Sequence, residues 1–96
     1  MIKFNIVIAY FYYPYNPLMK LFVAGLPPDM DEAELKEFFE KYGPVKSVSI
    51  ARDRATKRTK GFGFVEMKDP RQAKTAIQIL HGLGIGRKKL LVKEAQ

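Results

Sequence analysis

The chain has 96 residues, of which 47% are hydrophobic and 28% charged, a size and balance that fit one globular domain and exclude a two-domain or disordered architecture. There is no cysteine, so disulfide frameworks, thiolate metal sites and thiol nucleophiles are excluded, while the redox compartment stays open. The net charge of +7, from 17 Lys and Arg against 10 Asp and Glu, favours a polyanionic partner, and on charge alone RNA, DNA and an anionic membrane all qualify.

Residues 1–18 differ from the rest. They hold one charge, Lys3, and a crowd of aromatics in Phe4, Tyr10, Phe11, Tyr12, Tyr13 and Tyr15. The apolar stretch is shorter than the roughly 20 residues that span a bilayer, and it lacks the basic start and small-residue cleavage site of a signal peptide. Alternation of Ile2, Phe4, Ile6 and Ile8 suits an extra strand, and Pro14, Asn16 and Pro17 break the chain before Met19. An appended strand and a loose leader are both open, and the segment is also a candidate dimerisation element of an otherwise monomeric protein.

From Lys20 the pattern becomes regular. Lys20 to Gly25 is a short apolar run closed by Pro27 and Pro28, which predicts a strand. Asp31 followed by Glu34 is a capping-box pattern, and Leu35, Phe38, Phe39 and Tyr42 mark one helical face that ends at Gly43. Val45 to Ala51 alternates Val48 and Ile50 against Ser47 and Ser49, as a half-buried strand does. A basic loop carrying Arg52, Arg54, Lys57, Arg58 and Lys60 leads into a third strand, Gly61 to Met67. Asp69 and Pro70 open a second helix with Ala73, Ala76, Ile77 and Leu80 on its buried side, and Leu90 to Lys93 supplies a fourth strand. The order is that of an α+β, ferredoxin-like βαββαβ sandwich, a four-stranded antiparallel sheet with two helices on one face. Two helices cover only one side of such a sheet.

Strand side chains alternate, so Phe62, Phe64 and Glu66 share one face while Val65 and Met67 share the other. On the first strand Lys20, Phe22 and Ala24 oppose Leu21 and Val23. The aliphatic set suits the helices, which leaves Phe22, Phe62 and Phe64 on the open face. Aromatic platforms beside cations are what single-stranded nucleic acid needs. A sheet covered on both sides would instead make the same rings core.

Lys60 to Met67, KGFGFVEM, resembles the octamer signature of the RNA recognition motif, K/R-G-F/Y-G/A-F-V-x-F/Y, at seven of eight positions. Leu21 to Leu26, LFVAGL, is similar to the family's hexamer, with Gly25 where asparagine is commoner, and the two motifs stand about 40 residues apart. The resemblance covers nearly all of Met19 to Ala95, so that residues 19–96 are expected to form the domain. It implies central first and third strands and bases stacked on Phe22, Phe62 and Phe64. It also implies a phosphate contact at Lys60, with Arg54, Lys57 and Arg58 adding backbone attraction and Lys20, Lys89 and Lys93 extending it; Glu66 lies on the same face. Met67 replaces the octamer's last aromatic on the helix side, where methionine fills space well. Before the last strand, Arg87 and Lys88 stand where the family frequently has Gly-Arg.

The partner expected is single-stranded RNA, with single-stranded DNA second and no membrane. The role expected is RNA chaperone or post-transcriptional regulator, and the location cytoplasmic, with organelle and nucleus left open. A small single-domain protein of bacterial or organellar type is the expected kind. The rival reading is a protein-interaction module with weak or no RNA binding. Acylphosphatases resemble this architecture, but no asparagine follows Asn16, and His81 lacks metal partners, so no enzyme, metal or cofactor is expected. His81 is expected to favour the terminal carbonyls of the second helix, and Asp29, Asp31, Glu32 and Glu34 to stabilise the start of the first. Gly82, Gly84 and Gly86 are read as a flexible turn.

Overall fold

The computed structural model describes residues 18–95. Apart from Leu18, the aromatic segment and its expected strand, leader or dimerisation role therefore lie outside the described residues.

Local signals place both helices. Helix α1 (Glu32–Glu40) starts where Asp31 Oδ1 accepts the Glu34 N–H at 2.8 Å while the Glu34 carboxylate accepts the Asp31 N–H at 3.3 Å, closing the capping box. Helix α2 (Pro70–Leu80) starts with Asp69 accepting the Arg71 N–H at 2.9 Å, and Pro70 fits there because its missing N–H needs no partner in the first turn. Strands β1 (Met19–Ala24), β2 (Val45–Arg52), β3 (Thr59–Met67) and β6 (Leu91–Glu94) form one antiparallel sheet in the order β2-β3-β1-β6. The first and third strands are central, as the resemblance implied.

The core lies between this sheet and the helices. Leu21, Val23, Val65 and Met67 are all 0% exposed, packed with Leu35 and Phe39 of α1 and Ala73, Ala76 and Leu80 of α2. Full burial of a Val, Leu or Met side chain contributes roughly 1.5–3 kcal/mol. Gly63 sits in this buried layer between Val23 and Ile50, and a Cβ there would stand 2.2 Å from the Ser49 carbonyl oxygen. Gly25, the departure from the family hexamer, has φ +80° and would place a Cβ 2.3 Å from the Lys89 carbonyl oxygen, so neither asparagine nor any other side chain fits this turn without a shift.

Three details differ from the sequence reading. Val45 pairs with Met67 and Ser47 with Glu66, so Lys46 is an extra residue in β2. This bulge lets Val45 share the buried side with Val48 and Ile50, three and five residues away, which strict alternation forbids. The glycine-containing stretch after α2 is a hairpin, β4 (Gly84–Ile85) paired with β5 (Lys88–Lys89), and Gly86 takes φ +62° at the first central turn position, as type II′ turns require. His81 does not serve the helix carbonyls; its Nδ1 accepts the Val92 N–H of β6 at 3.0 Å. Beside it, the Gly82 N–H donates to the Leu90 carbonyl at 2.7 Å and the Leu90 N–H to the Leu83 carbonyl at 2.8 Å.

Gly63→Ala is expected to lower stability by about 1–3 kcal/mol, the usual cost of forcing an extra methyl into a packed layer. Chemical denaturation of the variant and the parent checks this, with an unchanged midpoint as the contrary result.

Candidate functional site

Pairing across the sheet sorts the uncovered face into rows. Phe62, Ala24 and Leu91 align in one row, Ser49, Phe64, Phe22 and Lys93 in the next, and Ser47, Glu66 and Lys20 in a third. The alternation that buries Leu21, Val23 and Val65 therefore assembles Phe22, Phe62, Phe64, Lys20, Glu66 and Lys93 on one surface.

The rings form a single cluster. Phe22 lies 5.7 Å from both Phe62 and Phe64 between centroids, and Phe62 and Phe64 are 6.4 Å apart and perpendicular. These separations lie within the favourable range for tilted and edge-to-face pairs, each contributing ~0.5–1.5 kcal/mol beyond area burial. In consequence the rings are half-buried, not bare: each shields its neighbours, while the helices lie on the opposite face.

Two cations complete the surface. Lys20 Nζ stands 5.2 Å from the Phe64 centroid and Lys93 Nζ 5.6 Å from that of Phe22, so these lysines sit over the aromatic cluster. Glu66 accepts a hydrogen bond from the Ser47 hydroxyl, which fixes its carboxylate at the margin of the face.

Arg54, Lys57 and Arg58 are exposed on the β2–β3 loop, and Lys60 is exposed two residues before Phe62. The loop leaves the sheet at the Phe62 end, and Asp53 builds it. Its Oδ1 accepts the N–H groups of Ala55 at 2.8 Å and Thr56 at 2.9 Å, its backbone N–H donates to the Arg58 carbonyl at 2.8 Å, and its carbonyl accepts from Lys57 at 2.9 Å. Lys57 adopts φ 66°, a left-handed conformation that this network holds. Arg52 ties the loop down, donating to the Lys57 carbonyl at 3.3 Å and to Glu32 Oε1 of α1 at 3.0 Å. The hydrogen bond from Arg52 holds the Glu32 carboxyl below the usual carboxylate range, and the N–H groups of Thr56 and Ala55 do the same for Asp53.

Several participants escaped the sequence reading. Leu91, 40% exposed, extends the face beside Ala24; counting back from buried Val92 would have found it. Asp53 could have been found as an Asx turn, a carboxylate placed two and three residues before backbone donors. The ion pair of Arg52 with Glu32 bridges distant segments and has no local signal. Among the described residues there is no group of His, Cys, Asp and Glu able to hold a metal ion, and no helix is long and apolar enough to cross a membrane.

A family model described as RNA recognition motif matches residues 21–91. Heterogeneous nuclear ribonucleoprotein 1 of Arabidopsis thaliana is 53% identical over 51 residues, which are 53% of this chain and only 12% of that protein. Among solved structures, RNA binding protein PG1 is 40% identical with a TM-score of 0.77, covering 80% of this chain and 93% of its own. The Sxl-lethal protein/RNA complex is 33% identical with a TM-score of 0.78, covering 81% of this chain and 47% of its own. The expected likeness to bacterial or organellar proteins finds no support, since the relative described above is a plant ribonucleoprotein. Its name refers to the nucleus and lends nothing to a cytoplasmic location.

A group whose folded pKa is depressed contributes above its unfolded value, and that contribution disappears as pH falls through the folded value. The Asp53 turn and the Glu32 tie to Arg52 are therefore expected to persist at neutral pH and to loosen only as pH falls below the range in which ordinary carboxylates titrate. Amide hydrogen exchange at Ala55 and Thr56 against pH checks this, and Asp53→Ala should show the loosened pattern already at pH 7.

Proposed function

This chain belongs to the RNA recognition motif family, and on that footing we propose that it binds single-stranded RNA across its open sheet face, with single-stranded DNA as a weaker ligand. The observation that carries the reading is the cluster of Phe22, Phe62 and Phe64 on the side of the sheet that the helices leave free, flanked by Lys20 and Lys93.

Magnitudes favour the exchange that binding requires. A base that stacks on Phe64 or Phe22 displaces an ammonium group whose cation–π contact contributes ~0.5–1 kcal/mol at an exposed site. The stack contributes ~1–3 kcal/mol, and the freed lysine gains a phosphate. Glu66, steadied by Ser47, accepts from an exocyclic amino group and so favours amino-bearing bases over uracil. Lys60, Arg54, Lys57 and Arg58 take backbone phosphates, and the Asp53 turn presents the loop cations without an ordering cost at binding. One chain carries a complete face, so one monomer binds one strand. Stacking that tolerates many sequences suits RNA chaperoning or post-transcriptional regulation, the two roles we propose.

Phe62→Ala and Phe64→Ala are each expected to weaken RNA binding by roughly tenfold or more, with only a modest fall in melting temperature because the rings lie outside the helix-covered core. Anisotropy titration of short labelled RNAs, with thermal melts in parallel, tests this. Affinity unchanged by Phe64→Ala, or no binding below millimolar at low salt, would refute it and leave the protein-interaction reading.

Combined replacement of Arg54, Lys57 and Arg58 by glutamine should reduce the slope of log affinity against log salt by about 2, at roughly 0.7 per phosphate on a single strand. An unaltered slope would show that the loop touches no phosphate.

A further inference from the structure

The rows of the open face end at Phe62, Ala24 and Leu91, and beyond that end lies a cavity of about 270 Å³ lined by Pro27, Pro28, Ile85, Gly86, Arg87 and Lys88. Its two walls are joined to the face by backbone. One wall follows β1 through Gly25, which fits closely against the Lys89 carbonyl, and through Leu26, whose N–H donates to the Gly61 carbonyl at 3.0 Å. The other is the β4–β5 hairpin, which runs into β6 through buried Leu90. Exposed Leu91, at the end of the open face, stands three residues after Lys88 of the lining, as Pro27 stands three after Ala24.

The lining chemistry is that of a nucleotide. Two proline rings and Ile85 offer apolar walls for a planar base, and the volume lies just under the ~300 Å³ at which pockets for drug-sized ligands begin. Arg87 and Lys88 are exposed, and no carboxylate lines the cavity to neutralise them. The guanidinium fork matches phosphate geometry and the ammonium adds a point charge. We propose that this cavity is a subsite for one further nucleotide of the same RNA strand, the base seated against Pro27, Pro28 and Ile85 and its phosphate held by Arg87 and Lys88. The subsite rests on the proposed RNA-binding face and extends it past the sheet, which by itself stacks two or three bases.

The test is a length series of single-composition RNAs from about three to eight nucleotides, extended one residue at a time at the 5′ or the 3′ end. These are titrated at about 0.15 M salt, where screening confines charge effects to roughly 8 Å. The full chain is expected to gain roughly fivefold in affinity at one extension step, the lower limit of a base stack. Arg87→Gln with Lys88→Gln, both exposed, should lose that step while matching the parent on the shortest strands; Ile85→Ser should do the same through the wall. A step that survives in both variants, or no step in the parent, overturns the subsite while leaving the open face intact. RNA affinities equal in parent and variants at every length overturn it too. If no strand of any length binds the parent, the subsite falls together with the face on which it rests.

Discussion

Two helices pack against one side of the sheet, and side-chain alternation decides which residues face them. Both sets on the central strands are apolar enough to form a core, the aliphatic Leu21, Val23 and Val65 on one side and the three phenylalanines on the other. What locks the choice is the company each set keeps. Lys20, Glu66 and Lys93 share the phenylalanine face, so turning that face toward the helices would carry three charges under them. An unpaired buried charge costs several kcal/mol after relaxation. Gly63 acts in the same sense, since the helix side has no room for a side chain beside the Ser49 carbonyl. The aromatic surface is thus a consequence of where ions cannot go.

How far the sequence discloses this follows from the range of each interaction. The helices are legible because their caps are local, Asp31 with Glu34 and Asp69 with Pro70 and Arg71, within three residues of each other. The rows of the face are legible because period-two alternation needs no knowledge of partners. The Lys46 bulge is hidden, since an extra residue becomes visible only when β3 is laid beside β2. The β4–β5 hairpin is hidden because two-residue strands carry no period. The contacts of His81 and Arg52 join segments 11 and 20 residues apart, and nothing near either residue announces its partner.

The two halves of the candidate site are prepared in different ways. On the sheet, rigidity comes from strand pairing, and the rings are oriented by one another at 5.7–6.4 Å. On the loop it comes from one carboxylate that accepts two backbone N–H groups and from an arginine that anchors the turn to α1. Asp53 is an acidic residue within an otherwise basic loop, and Glu32 reaches that loop from the acidic start of α1; their negative charge organises cations rather than repelling a polyanion.

The hydrogen bonds around β6 have a further consequence. A strand at the margin of a sheet offers unsatisfied amide and carbonyl groups to any extended chain it meets. Here both backbone groups of Leu90 and the N–H of Val92 are taken by Gly82, Leu83 and the His81 imidazole, so the start of that margin is engaged by its own chain. At the opposite margin the Lys46 bulge disrupts the straight ladder, and the Val45 N–H is given to the Glu40 carboxylate at 2.8 Å. A sheet with one uncovered apolar face would otherwise invite ribbon-like polymerisation; with groups already engaged at both flanks, edge-to-edge growth is disfavoured while the rings stay available to ligands.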